Sequence, residues 1–175
     1  MARQTADLSA MVNDVRDLMR QLPDWAGREA VGFYTDSWRR QGYINTGYSK
    51  WQARKKTDKK GQSRAILTKT GRLRRSIRDR VAGQKVTIYT DVPYAQVHNE
   101  GLAVQAVQTV KTHKRRAHRR KGKKVKETTV QAHTRTINTQ MPQRQFMDIP
   151  NKPISPFLEK RIVAHVARAL DKIFK

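Results

Sequence analysis

The chain has 175 residues, enough for one domain with a buried core, and 38 Lys and Arg against 14 Asp and Glu give it a formal charge of +24. So large an excess is self-repelling in a lone monomer and points to a polyanion or an acidic protein as neighbour. Cysteine is absent, which excludes a disulfide framework and thiolate metal sites. No apolar run approaches the roughly 20 residues of a membrane span, and the N-terminus lacks the apolar core of a signal peptide, so synthesis in a cytoplasm is expected.

Leu8, Met11, Val12, Val15, Leu18, Met19 and Leu22 recur at three- and four-residue steps, the spacing of one helix face. Leu22-Pro23-Asp24 is expected to break this helix, with Asp24 as N-cap of a second one along which Ala30, Phe33, Tyr34, Ser37 and Trp38 align. The two predict an αα-hairpin packed on a sheet. Their Met and aromatic stripes read as core packing rather than as a ligand box. From Arg39 to Arg64 the periodicity dissolves around Gly42, Gly47 and Gly61. This stretch reads as a loop anchored by Trp51, with Lys55, Lys56, Lys59 and Lys60 solvated.

Leu67 to Gly101 is the most continuous structural stretch. Leu73, Ile77 and Val81 share one parity, and Arg74, Ser76, Arg78 and Arg80 the other, predicting a strand with an apolar and a basic face. Ala82-Gly83-Gln84 is a turn signal, after which Val86 and Ile88 resume the alternation. Pro93 leads into a helical turn, Tyr94-Ala95-Gln96-Val97-His98, that Gly101 can end.

Beyond it, Val104, Ala106, Val107 and Val110 predict one strand and residues 125–137 a longer one. Between them lie ten cations and no acid: Lys111, Lys114, Arg115, Arg116, Arg119, Arg120, Lys121, Lys123, Lys124 and Lys126. Residues 103–140 read as an inserted basic hairpin or arm whose tip is expected to be disordered. Ser155-Pro156 then starts a closing helix whose apolar stripe, from Phe157 to Phe174, should dock on the sheet. The fold class that results is α+β: an antiparallel β-sheet packed against two N-terminal helices and a C-terminal helix, with a long basic β-hairpin arm or loop. It forms a single domain over residues 1–175.

The sequence carries no evident reaction centre. His98-Asn99-Glu100 invites comparison with small metal-dependent nucleases, but the second ligand and base that such sites need are missing downstream. His113, His118 and His133 have no acidic companions at ligand spacing. There is no phosphate-cradling glycine loop, nucleophile elbow or carboxylate pair. No catalysis, metal or cofactor is expected. Residues 103–140 contain no Phe, Tyr or Trp, so the arm would contact phosphates without reading bases. Docking on an acidic neighbouring subunit accounts for its charge equally well.

The order of motifs carries a resemblance. Trp51 in a glycine-rich loop is followed by Leu67-x-x-x-Gly71-x-Leu73-x-x-Ser76-Ile77 and a strand. Tyr94-Ala95-x-x-His98-x-x-Gly101 and Pro142-x-Arg144-x-Phe146-Met147 complete the set. Together they resemble the phage virion morphogenesis family, the tail-completion or neck proteins of tailed phages and prophages, related in pattern to tail terminators. The resemblance implies a small α+β virion protein that assembles as a homo-oligomeric, sixfold ring at the head–tail junction, without catalysis. It also implies neck, connector and tail proteins as partners. Two features depart from the family pattern: the segment from Gly101 to Pro142 is longer and more basic, and Arg144-Gln145-Phe146 stands where Arg-Pro-Phe is usual. On this reading the cationic arm faces packaged double-stranded DNA or an acidic subunit, and Arg74, Arg78, Tyr94, His98, Arg144 and Phe146 belong to the subunit interface. The alternative, resting on charge alone, is a non-specific nucleic-acid-binding protein of ribosomal or nucleoid type.

Overall fold

One 33-residue helix, α1 (Leu8–Arg40), runs where two helices are expected; the computed structural model describes residues 8–54, 64–120 and 122–175. Pro23 lies inside α1 and is buried, so neither the break nor the Asp24 cap forms. Proline lacks an N–H, which leaves the Met19 carbonyl, four residues back, without its helical donor. The Gln84 side-chain amide donates to that carbonyl at 3.5 Å. Pro23, Gly27, Ala30, Tyr34 and Ser37 also keep one buried face in phase across the proline. Tertiary packing therefore outweighs the roughly 3 kcal/mol that an interior proline costs. The other half of the helix stays open, with Leu8 73% and Val12 48% exposed.

After α1, β1 (Gly42–Ile44) and β2 (Tyr48–Lys50) pair as an antiparallel hairpin where a loop is expected. Three-residue strands are too short for an alternation to register. Trp51 is the buried anchor the sequence predicts. Lys55, Lys56, Lys59 and Lys60 lie outside the described residues.

Leu73 sits in a helical turn, α2 (Arg72–Arg75), and strand β3 starts only at Arg78 (Arg78–Ala82). Four residues are two strand repeats and also about one helical turn, so Leu73 and Ile77 share a side under either period. β3 pairs with β4 (Lys85–Tyr89) in the register Val81↔Val86. Val81, Val86 and Ile88 are half-buried while Arg78, Arg80 and Thr87 are exposed, and α1 lies across both strands. Gly27 permits that approach: a Cβ there would fall 3.0 Å from Asp79 Cγ.

α3 (Ala95–Glu100) follows Tyr94 and ends at Gly101 with φ 72°, as the sequence predicts. A Cβ on Gly101 would also lie 2.8 Å from the Gln143 backbone nitrogen, so this position requires glycine for conformation and for space.

The last helix of this unit is α4 (Pro156–Ile173), which starts at the predicted proline. It packs on α1 rather than on a sheet. Trp25 stacks on His165 with centroids 3.6 Å apart, Arg161 pairs with Glu29 at 3.0 Å, and Leu158 enters the core. Phe157, Val163 and Phe174 of the predicted stripe stay exposed, because α1 covers only one side of it. Among the described residues the strands pair two by two, and the single sheet of the expected α+β architecture is a set of separate ladders. Alternation specifies a two-faced strand but not how many neighbours it has.

Residues 102–141 form a second unit. Six strands, β5 (Ala103–Val110), β6 (His113–Arg115), β7 (His118–Arg120), β8 (Lys123–Val125), β9 (Thr128–Val130) and β10 (His133–Gln140), make one long hairpin. The register is unbroken from Ala103↔Gln140 to Arg120↔Lys123. The expected disordered tip is instead paired backbone, with Gly122 at φ 78°; Lys121 lies outside the described residues. The charges sit at the ends of long side chains that reach water, so their repulsion does not forbid backbone pairing.

Candidate functional site

In the hairpin, all the described cations between Lys111 and Lys126 are exposed, and among the described residues no ion pair neutralises them. Two interruptions of the ladder divide it into short segments, and the same device recurs beside each. The Nδ1 atoms of His113, His118 and His133 hydrogen-bond the carbonyls of Lys111, Arg116 and Gln131, two residues earlier, at 2.9, 3.1 and 2.9 Å. Each of these histidines lies opposite a valine: His113↔Val130, His118↔Val125 and Val110↔His133. The local ring contacts satisfy carbonyls that the interrupted ladder leaves free. The result is a paired scaffold carrying cations on both strands, which can neutralise an anionic surface but has no aromatic platform for bases.

In the other unit, α3 and the segment Pro142–Asp148 are joined without any ladder, by one backbone hydrogen bond and by side chains that satisfy the segment's backbone. The Arg144 N–H donates to the His98 carbonyl at 2.7 Å. Asn99, buried in α3, accepts the N–H groups of both Phe146 and Met147 on its Oδ1, at 2.9 and 3.1 Å. Trp51 Nε1 donates to the Gln145 carbonyl at 2.6 Å and Ser37 Oγ to that of Phe146 at 3.4 Å. Phe146 is completely buried, with its ring 5.0 Å from that of Trp38.

The segment ends on a polar knot. Asp148 accepts hydrogen bonds from Tyr34 (2.6 Å), Tyr43 (2.5 Å) and the Ser155 N–H (3.1 Å). Ser155 Oγ donates to the Ile44 carbonyl at 2.9 Å instead of capping α4. Burial first, and then the Asp148 carboxylate, push both phenols well above the usual tyrosine range. Both stay protonated in the fold and would ionise near pH 10 once unfolded. Their contribution is therefore complete below about pH 10 and is lost as the pH rises beyond it. Above that pH the Tm of the native chain should fall more steeply than that of Tyr34→Phe, by the equivalent of about one proton. Equal slopes in a series of thermal melts would show that Tyr34 does not hold its proton.

The structure distributes the predicted interface residues unevenly. Tyr94, His98 and Arg144 come together on the wall of one cavity. Arg74 in α2 and Arg78 at the start of β3 are exposed and do not line it. Phe146 belongs to the core rather than to the surface expected of an interface residue, because Trp38 and the Asn99 contacts enclose it. Burial, and then Arg144, lower the pKa of His98; burial, and then Arg54, lower that of Arg144. The sequence reading missed Ser37, Asn99, Asp148 and Ser155 as ties. Asn99 lies within the Tyr94–Gly101 motif and Asp148 directly after Met147, but a polar residue whose partner lies some fifty or a hundred positions away leaves no periodic trace.

Among the described residues no group of His, Asp and Glu could hold a metal ion, and no helix is long and apolar enough to cross a membrane. The model of the phage virion morphogenesis family matches residues 39–170. No curated protein and no solved structure gives a significant match.

Proposed function

Since the chain belongs to the phage virion morphogenesis family, with a part in building the virion, we propose that it forms a ring at the head–tail junction, as a neck, tail-completion or tail-terminator component. The observation that carries this reading is the 102–141 hairpin, a unit with exposed cations on both strands and no ion pair among its described residues. A two-stranded hairpin is at best marginally stable alone in water, so a partner that neutralises it would also order it. Copies repeated around a ring would present Arg115, Arg116, Arg119, Arg120, Lys123 and Lys124 to double-stranded DNA in a channel, or to an acidic subunit. The uncovered apolar side chains of α1, α4 and the α4 C-cap, Leu8, Val12, Phe157, Val163 and Phe174 among them, support subunit contacts. On this reading no step is catalytic; the protein joins and seals.

Imaging of particles carrying a labelled copy should place it at the joint, in a closed ring. A chain that stays monomeric with and without its virion partners, together with particles that join heads to tails in its absence, would sink the proposal.

A further inference from the structure

The cavity beside α3 has a volume of about 290 Å³, and the charge of its described lining is one-sided. Arg54, Arg64, Lys69 and Arg144 line it, with His98 beside them, and among the described residues none that lines it is acidic. Arg144 is only 9% exposed. Among the described residues its guanidinium has one acceptor, the Gln52 carbonyl at 3.4 Å, and its Nε, like the Nδ1 of His98, is buried without a partner. A buried guanidinium without a counter-charge is costly. Leu67, on the same wall, is held at φ 56°, a left-handed backbone that a leucine rarely adopts, while its carbonyl accepts the Trp38 indole N–H.

We propose that this cavity is a socket for one carboxylate, carried on a side chain of an acidic partner protein. The guanidinium fork matches a carboxylate in plane and spacing. The apolar wall of Ile66, Leu67 and Leu73 suits the methylene stem of a glutamate. A duplex phosphodiester, flanked by sugars, is too bulky to reach a guanidinium buried to this degree. A second copy of the chain is the poorer occupant, since each copy brings another excess of 24 positive charges. The partner's place in a virion rests on the function proposed above; carboxylate binding by the isolated chain does not.

The test uses the full-length protein with labelled histidine imidazoles. The four other histidines, His113, His118 and His133 in the hairpin and His165 in α4, serve as internal controls. The tripeptide acetyl-Gly-Glu-Gly-amide should shift the His98 signals saturably, and the Gln analogue should not. Arg64→Gln, at the exposed rim, should weaken binding about tenfold and Arg144→Gln should abolish it. A short DNA duplex should move the hairpin histidines and leave His98 in place. The socket is overturned if the Glu peptide gives no saturable shift, if Arg64→Gln binds as tightly as the native chain, or if inorganic phosphate or the duplex moves His98 as strongly as the peptide. Binding of the peptide by a chain that never forms a ring would leave the socket standing and remove only the ring.

Discussion

Phe146→Ala should lower stability by about 3–5 kcal/mol, a drop of roughly 10 °C in Tm for a chain of this length. The ring is completely buried and packs at 5.0 Å on Trp38. Its surroundings cannot easily collapse into the cavity, because the backbone on both sides is tied to other elements. Arg144 is bound to His98, Gln145 to Trp51, and the N–H groups of Phe146 and Met147 to Asn99. The loss should therefore lie toward the upper part of that range. Phe146→Leu keeps most of the volume and should cost about 1.5 kcal/mol or less. Tryptophan fluorescence is the measurement, since Trp38 touches the deleted ring. A shift below 2 °C for the alanine variant would mean that the Pro142–Asp148 segment does not hold this unit together.

The second large effect concerns the hairpin. Changing the ten cations between Lys111 and Lys126 to Ser or Gln should abolish most binding to duplex DNA and flatten its salt dependence. A protein making 6–10 phosphate contacts loses about 10³–10⁵ in affinity between 50 and 200 mM salt, and the variant should lose far less. Folding of the other unit should hardly change, because exposed unpaired charges contribute little to stability. The readouts separate cleanly: Trp25, Trp38 and Trp51 all lie outside residues 102–141, so their fluorescence reports that unit alone. If DNA binding is already weak and flat in the native chain while assembly still needs the cations, the acidic neighbour is the partner. Tight bulk binding by a chain that stays monomeric and does not join particles would favour a free nucleic-acid-binding protein instead. A fall of several degrees in the tryptophan-detected Tm would show that the cations contribute to the core instead.

Some of this was legible in the residues. Ala30, Phe33, Tyr34, Ser37 and Trp38 recur at helical spacing and are all buried. Gly101 ends α3 and Pro156 starts α4 where their chemistry demands, and Trp51 is an anchor. Local steric rules and short-range periodicity decide such features, so a single stretch of chain contains all the information. The ten clustered cations are legible for the same reason, since charge needs no fold to be counted.

Other features were decided only by contacts between distant residues. Pro23 reads as a break, yet the helix continues because its buried face packs on β3 and β4 and Gln84 reaches the orphaned Met19 carbonyl. The spacing of Leu73 and Ile77 suits helix and strand equally, and the tertiary environment selects the helical turn. The cationic tip is paired because strands anchored at Ala103 and Gln140 carry one register through to Arg120 and Lys123. Above all, Tyr94, His98 and Arg144 are named by the sequence as separate motif residues. Only the fold, by binding Arg144 to the His98 carbonyl, sets them around a single cavity with no acid among the described residues of its lining. Sequence determined the local elements and the sign of the charge; long-range packing decided which charges were left without a partner.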